Sequence, residues 1–388
     1  MRIVQVSPYD LSRHGGVQQH VHSLAAELRR RGHDVLLIGP GRGTGGDGNM
    51  YTLGAARRVS VLGTSFEITL ASRSELRALS DRLAAFRPDV MHYHTMWVPL
   101  LPWQIFRQTP VPAVATFHDT PPPGFSGVVM RIVFKLLSRY LLSRLDGAIA
   151  VSPAPLGHLR PAARGIKPVV LPPATDLSDF FAVRKEPPSG RKTALFFGRL
   201  EPRKGVDVLL DAWSRISSGA VPLPRGLAMP QLIIAGNGEL EPMVRKAQHR
   251  LGAQVLQHVP APSRTALLRL LAEADIAISP ATYGESFGIV LAEALASGTP
   301  VIGAANAGYV HVLTGPGRAL LVPPGDADAL AREALVLLGD DEVRFALAGW
   351  GRAHARQFDV ATAAPAFEKV YAEALARGRS KSDAVGRM

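Results

Sequence analysis

Strand, helix and strand follow one another within the first 38 residues, and that order constrains the fold more than any other feature of the chain. Residues 1–7 read as a strand ending at Ser7-Pro8-Tyr9. Val17 to Arg31 then places Val21, Leu24, Ala25 and Leu28 at helical spacing. Gly32 ends the helix, and Asp34 to Ile38 is apolar and β-prone. Two strands joined by a helix lie parallel in one sheet. The alternation continues through a helix at 72–87, strands at 90–93 and 114–117, a helix at 128–145 and a strand at 148–151. It resumes after a proline-rich stretch, with strands at 194–197, 232–235, 276–279 and 301–303. Two α/β domains are expected: residues 1–172, a linker at 173–192 and residues 193–359, which suits a length of 388 residues. A last helix covers 360–378, and 379–388 reads as a polar, disordered tail.

Composition excludes several classes of protein. There is no cysteine, so disulfides and thiolate metal sites are ruled out. No apolar run approaches the roughly 20 residues of a membrane-spanning helix, and no signal peptide is expected at the start. The net charge of +12 favours anionic partners such as phosphorylated ligands or anionic lipid. Nucleic acid is not expected, because the arginines are dispersed and no binding signature accompanies them.

The stretch from Tyr283 to Gly303 carries the most chemistry. Gly284 breaks the preceding run, Glu285 and Ser286 stand where a helix is capped, and Phe287 to Ser297 reads as that helix. Glu285 and Glu293 lie eight positions apart, roughly 12 Å along a helix axis. A diphosphate can sit between them on the free N–H groups of Phe287, Gly288 and Ile289. One carboxylate can then hold the hydroxyls of a sugar and the other those of a ribose. The plain alternative is an amphipathic helix with two solvated glutamates.

Other candidates fall at strand ends, where ligands collect in open α/β sheets. Gly15-Gly16, just before a helix, can approach a phosphate or be a simple turn. Gly41, Gly43 and Gly46 match G-x-G-x-x-G but open no helix, so they are read as loop. His92 and His94 share a strand face, yet no third metal ligand stands nearby in sequence, and no metal is expected. His118 follows the strand at 114–117 directly. Gly198 to Gly205 places Arg199 and Lys204 on a loop after a strand, where two cations can neutralise a departing diphosphate. It is not a phosphate-binding loop of the G-x-x-x-x-G-K type. At 128–145, Val129, Ile132, Val133, Leu136, Leu137, Tyr140 and Leu141 trace a stripe beside Arg131, Lys135, Arg139 and Arg144. That pattern suits an anionic membrane surface or a core-packed helix with a solvated basic face.

The string from Gly284 to Gly303 resembles the E-x7-E signature of retaining glycosyltransferases of family 4. G-R-L-E-P-R-K-G at 198–205, the Gly236-Asn237-Gly238-Glu239 turn, T-F-H at 116–118 and L-V-P-P-G-D at 321–326 resemble the same family. The resemblance implies the α/β GT-B fold: two Rossmann-like, doubly wound domains facing a central cleft, with the C-terminal helix crossing back to the first. It implies a nucleotide-diphosphate sugar bound by Gly15, Gly16, Gly198, Arg199, Lys204, Gly236, Gly238, Glu285, Ser286, Phe287, Gly288, Ile289 and Glu293. Glu285 would hold the sugar, Glu293 the ribose, and Arg199, Lys204, Glu285 and His118 would serve the chemistry, with no cofactor and no metal. The motifs are similar to those of bacterial phosphatidylinositol mannosyltransferases, in which residues matching Tyr9, Gln18 and Arg203 contact the acceptor. That implies GDP-mannose and a lipid, lipid-linked or polysaccharide acceptor, in the cytoplasm or on the inner face of its membrane. A UDP-sugar-dependent enzyme and an idle sugar-binding module are the alternatives. The chain departs from the family in Pro173-Ala174-Thr175-Asp176, which replaces P-N-G-V-D, and in its spaced arginines at 73, 77, 82 and 87, which replace a dense basic cluster.

Overall fold

The computed structural model describes residues 1–13, 15–41, 48–61, 64–98, 100–121, 123–160, 166–186 and 190–385. Gly43, Gly46, Pro187 and Pro188, which the sequence assigns to loop and linker, lie outside them.

The chain forms two compact units, one from residues up to Asp176 together with the segment from Val360, the other from Leu177 to Asp359. The first opens with β1 (Arg2–Val6), α1 (Gly16–Arg30), β2 (Asp34–Gly39) and β3 (Met50–Thr52). A separate antiparallel pair, β4 (Arg57–Val61) and β5 (Thr64–Ile68), follows. Then come α2 (Arg73–Phe86), β6 (Val90–His94), α3 (Leu101–Gln108) and β7 (Ala113–Phe117). The run ends with α4 (Gly124–Leu142), β8 (Gly147–Ala150), α5 (Pro153–Leu156) and β9 (Val169–Val170). The seven sheet strands are all parallel, in the order β3-β2-β1-β6-β7-β8-β9. Because helices cover a parallel sheet on both faces, its inner strands β2, β1, β6, β7 and β8 are buried almost throughout, whereas the edge strands β3 and β9 are half-buried and exposed. The helix at 72–87 begins where its sequence says: Ser72 accepts the Glu75 N–H, and Glu75 accepts the Ser72 N–H.

The second unit repeats the plan. It contains α6 (Ser178–Phe181), β10 (Thr193–Phe197), α7 (Val206–Ser217), β11 (Gln231–Ala235), α8 (Glu241–Leu251) and β12 (Leu256–Val259). These are followed by α9 (Arg264–Glu273), β13 (Ile276–Ser279), α10 (Ile289–Ala296), β14 (Val301–Ala304) and β15 (Leu321–Val322), then α11 (Ala327–Gly339) and α12 (Asp341–Ala355). Its parallel sheet runs β12-β11-β10-β13-β14-β15. In both sheets the strand order reverses beside the first strand, the Rossmann arrangement, and the reversal opens a crevice at the carboxyl ends. The switch points lie between β1 and β6 and between β10 and β13.

The last helix, α13 (Val360–Val385), belongs to the first unit and continues past the expected end of order at 378. Val360 N–H donates to the Thr175 carbonyl, and Phe367, Val370, Tyr371 and Ala374 are buried with residues of α1 and β8. Arg31 makes a two-pronged pair with Glu368 at 2.8 Å on both arms.

Two local expectations change. α10 begins at Ile289 with Gly288 as its N-cap, not at Phe287 after a Glu285–Ser286 cap. Gly288 takes φ +106°, and a Cβ there would stand 2.5 Å from the buried Tyr309 ring, so only glycine fits this entry. In α4 the expected single stripe is split. Phe134, Ser138, Leu141 and Leu142 turn inward, whereas Val128, Ile132, Val133, Leu136 and Tyr140 are exposed, as is Phe125 one turn before them.

Candidate active site

The densest polar constellation of the second unit sits at its switch point. Arg199, Glu201, Arg203 and Lys204 follow β10, and Glu285 follows β13. Arg203 Nη1 and Lys204 Nζ both donate to Glu285 Oε1 at 2.7 Å. Glu201 holds Arg199 at 2.7 Å through one oxygen and Arg203 at 2.9 Å through the other. Three cations against two carboxylates leave the group one net positive charge, suited to a diphosphate.

Burial pushes the Glu285 carboxyl up, but Lys204 and Arg203, by charge and hydrogen bonding, outweigh it and hold it below the usual value. Burial lowers the Arg203 guanidinium in turn, and Glu285 and Glu201 more than reverse that. The Glu285 carboxylate is therefore ionised and the Arg203 guanidinium charged before any ligand arrives.

The two loops are tied together by backbone. Thr282 N–H donates to the Arg203 carbonyl at 2.9 Å. Asn306 donates to the Ala281 carbonyl and accepts from the N–H groups of Gly308 and Tyr309, and the Tyr309 hydroxyl bonds Ser279 at 2.7 Å. Gly236, at φ +153°, lies so close to the Gly198 carbonyl that a Cβ would overlap it at 1.9 Å. Gly198 and Gly236 therefore let the β10 and β11 loops touch. Gly238 lies against Leu200 in the same place.

Glu285 and Glu293 do not share a helix. Glu285 sits in the loop before α10, and Glu293 lies within it, buried, with Arg264 Nη1 3.9 Å from its Oε1. Phe287 packs its ring on Phe358 and leaves only its backbone for a ligand, and the first helical N–H groups belong to Ile289 and Val290. Ser286 stands between them, half-buried.

In the first unit, Gly15 and Gly16 cap and open α1. Tyr9 stands in the turn after β1, where its N–H donates to Ser7 Oγ, and Gln18 on α1 donates to the Asp10 carbonyl. Arg203 is in the second unit, held by Glu201 and Glu285.

His118 joins a cluster that the sequence does not reveal. His94 Nδ1 faces His118 Nε2 at 3.3 Å, and His94 Nε2 faces Gln5 Oε1 at 3.1 Å. His20, from α1, stands edge-on to both imidazoles at 5.2 and 5.1 Å between ring centres. His92 is engaged elsewhere, with Tyr371 at 2.8 Å and Thr116 at 2.7 Å. One ring nitrogen from each of His20, His94 and His118 lies within 4.8 Å of the others, a grouping that the sequence surroundings of His94 did not offer; His92 is outside it, although its ring stands 4.2 Å from that of His94.

Burial lowers all four imidazoles, His20 to about 4 and His92, His94 and His118 well below the ordinary value, with their mutual repulsion adding to the last three. Burial also pushes the Asp119 carboxyl up to about 7, and its Oδ2 has no hydrogen-bond partner. Glu201, Gln5, His20 and Tyr309 are the site residues sequence reasoning missed. Only Glu201 left a signal, a carboxylate set between two arginines in one short loop.

Comparisons with known proteins place the chain among glycosyltransferases. The model described as "Glycosyltransferase Family 4" matches residues 14–179, and that described as "Glycosyl transferases group 1" matches residues 179–352. A phosphatidyl-myo-inositol mannosyltransferase of Mycobacterium tuberculosis is 31% identical over 381 residues, 96% of each chain. Among solved structures, a sucrose-phosphate synthase of Thermosynechococcus elongatus superposes with a TM-score of 0.74 at 21% identity, covering 97% of this chain and 100% of that one. Anabaena HepE in complex with UDP-glucose superposes at 0.72 and 18% identity, over 96% of this chain and 100% of that one.

Proposed function

This chain belongs to glycosyltransferase family 4, and on that premise we propose that it moves mannose from GDP-mannose to a lipid, lipid-linked or polysaccharide acceptor with retention of anomeric configuration. The observation that carries the reading is the pairing of Glu285 with Arg203 and Lys204 at a switch point. A buried, ionised carboxylate offers a lone-pair face to sugar hydroxyls, and the excess cation meets the diphosphate. The mannosyl donor rests on the mannosyltransferase likeness along 96% of the chain.

In the proposed reaction the bond from the anomeric carbon to the β-phosphate oxygen breaks, and a bond to the acceptor oxygen forms on the same face. The acceptor's proton passes to the leaving phosphate. Arg199 and Lys204 neutralise the charge growing on that phosphate, the task a metal performs elsewhere, so turnover is expected to survive chelation. Glu293 takes the ribose, and His118 a hydroxyl at the reacting centre. Gly15 and Gly16, with the start of α10, meet the diphosphate, and Tyr9, Gln18 and Arg203 the acceptor.

Peripheral contact with an anionic membrane is supported by α4, whose exposed Phe125, Ile132 and Leu136 adjoin the exposed Lys135 and Arg139. Among the described residues no helix is long and apolar enough to cross a membrane.

The deciding experiment offers the protein GDP-, UDP-, ADP- and dTDP-sugars with chelator present, followed by NMR of the product's anomeric centre. Selective use of GDP-mannose with retention bears the proposal out. Selective use of a UDP-sugar keeps the enzyme class and discards the donor, and binding of no donor discards the enzyme.

A further inference from the structure

We propose that Gln5 and His94 are positioning residues for His118, holding its imidazole in the neutral tautomer whose Nδ1 is a bare lone pair. The inference deepens the functional reading above, since it rests on His118 acting at the reacting centre.

The sheet register builds the relay. Gln5 on β1 pairs with His92 on β6, and His94 on β6 pairs with Thr116 on β7. Side chains two residues apart share a strand face. His94 therefore lies one step beyond Gln5 on the adjacent strand, and His118 one step beyond His94 on the next. The three side chains climb diagonally across the switch point toward the carboxyl edge. Gln5 and His94 are fully buried, and His118, at the outer end, reaches solvent.

With the Gln5 amide oxygen turned to the ring, the hydrogen bonds have one direction: Oε1 can only accept, so His94 Nε2 carries the proton of their 3.1 Å contact, and the buried Gln5 Nε2 has no hydrogen-bond partner. A neutral imidazole has one N–H. His94 Nδ1 is therefore a lone pair and accepts from His118 Nε2–H across 3.3 Å. That leaves His118 Nδ1 without a proton. Burial disfavours a second proton anywhere in the chain. His20 walls the relay edge-on, and the hydrogen bond of its ring is with the Ala174 backbone, outside the relay, so it draws no proton from it. A second chain, Tyr371–His92–Thr116, passes beside the first and is closed on itself. A bare Nδ1 accepts from a hydroxyl and cannot donate to a phosphate oxygen. The relay thus selects a sugar or acceptor hydroxyl as the partner of His118.

The test uses the full chain labelled with [15N]histidine, freed of metal, and a long-range 1H–15N spectrum to read tautomers. His94 and His118 are expected in the Nε2–H form. Gln5→Met fills the same space without an acceptor, so His118 should populate both tautomers and kcat fall about tenfold at unchanged donor KM. His118 found as Nδ1–H in the unaltered protein overturns the proposal, as does a folded Gln5→Met variant with the parental kcat. The first outcome needs no variant to fold. Full turnover by His118→Ala would remove the premise instead, and it would leave the spectrum of the unaltered protein as it was.

Discussion

Lys204→Met separates holding Glu285 in place from neutralising a departing phosphate. The Lys204–Glu285 contact is 2.7 Å, with side chains 15% and 10% exposed. At an effective dielectric near 20 its gross attraction is about 6 kcal/mol. Desolvation of two nearly buried charges cancels most of that. Arg203 stays on the same carboxylate oxygen at 2.7 Å, so the substitution strands no charge. The net loss of stability should be about 2 kcal/mol, or about 4–8 °C in the melting of the second unit. The rate should suffer more. Losing one preorganised donor to a developing oxyanion costs about 10²–10³ in kcat, about 2.7–4 kcal/mol. Initial rates over a range of donor concentrations, beside urea unfolding of the same preparation, read both quantities. A lowered melting temperature with kcat within threefold of the parent would refute the reasoning and leave Lys204 as a structural partner of Glu285.

Three further outcomes are expected. The buried imidazoles resist a proton in the fold but take one in the unfolded chain below about 6.5, so their contribution is complete above that pH and is lost as pH falls toward about 4. Asp119, raised to about 7, works in the opposite sense over the same range and offsets about one histidine. His20→Phe should therefore reduce proton uptake on unfolding near pH 5 by about one, and an unchanged pH slope of the unfolding free energy would contradict this. Leu136→Glu, on the exposed face of α4, should leave melting within about 1 °C and reduce co-sedimentation with phosphatidylglycerol vesicles. Equal sedimentation of parent and variant would end the membrane reading. Glu368→Ala removes a two-pronged arginine pair and a histidine contact, and should destabilise the first unit by about 1–2 kcal/mol in urea. Hydrogen exchange at α13 should quicken with it, and unchanged exchange would show that apolar packing alone holds the helix.

The alternation of elements and the places of the loops were legible because they are local. Hydrophobic period, a capping box at Ser72 and glycines at the ends of strands all act within a few residues. The Gly198–Gly205 and Tyr283–Gly303 strings could likewise be picked out as candidate site loops, since each carries its charged residues within a short stretch. Two errors came from the same locality. The helix after Glu285 was begun two residues early, at Phe287 rather than Ile289, because the constraint at Gly288 is the Tyr309 ring, 21 positions away. The stripe on α4 was drawn as one face because sequence shows which residues are apolar but not which of them find a neighbour.

Sequence by itself determined that the chain would build parallel sheets with charged loops at their carboxyl ends, and which residues those loops would carry. Tertiary structure alone decided who meets whom. Lys204 and Glu285 stand 81 positions apart, Gln5 and His94 stand 89 apart, and His92 and Tyr371 stand 279 apart. The first two pairs exist because the strand order reverses at a switch point, setting β10 beside β13 and β1 beside β6. The third exists because α13 packs onto the first sheet. Strand order is a property of the whole sheet's packing and has no local code, so the partners of a buried charge or imidazole emerge only when the sheet closes around them.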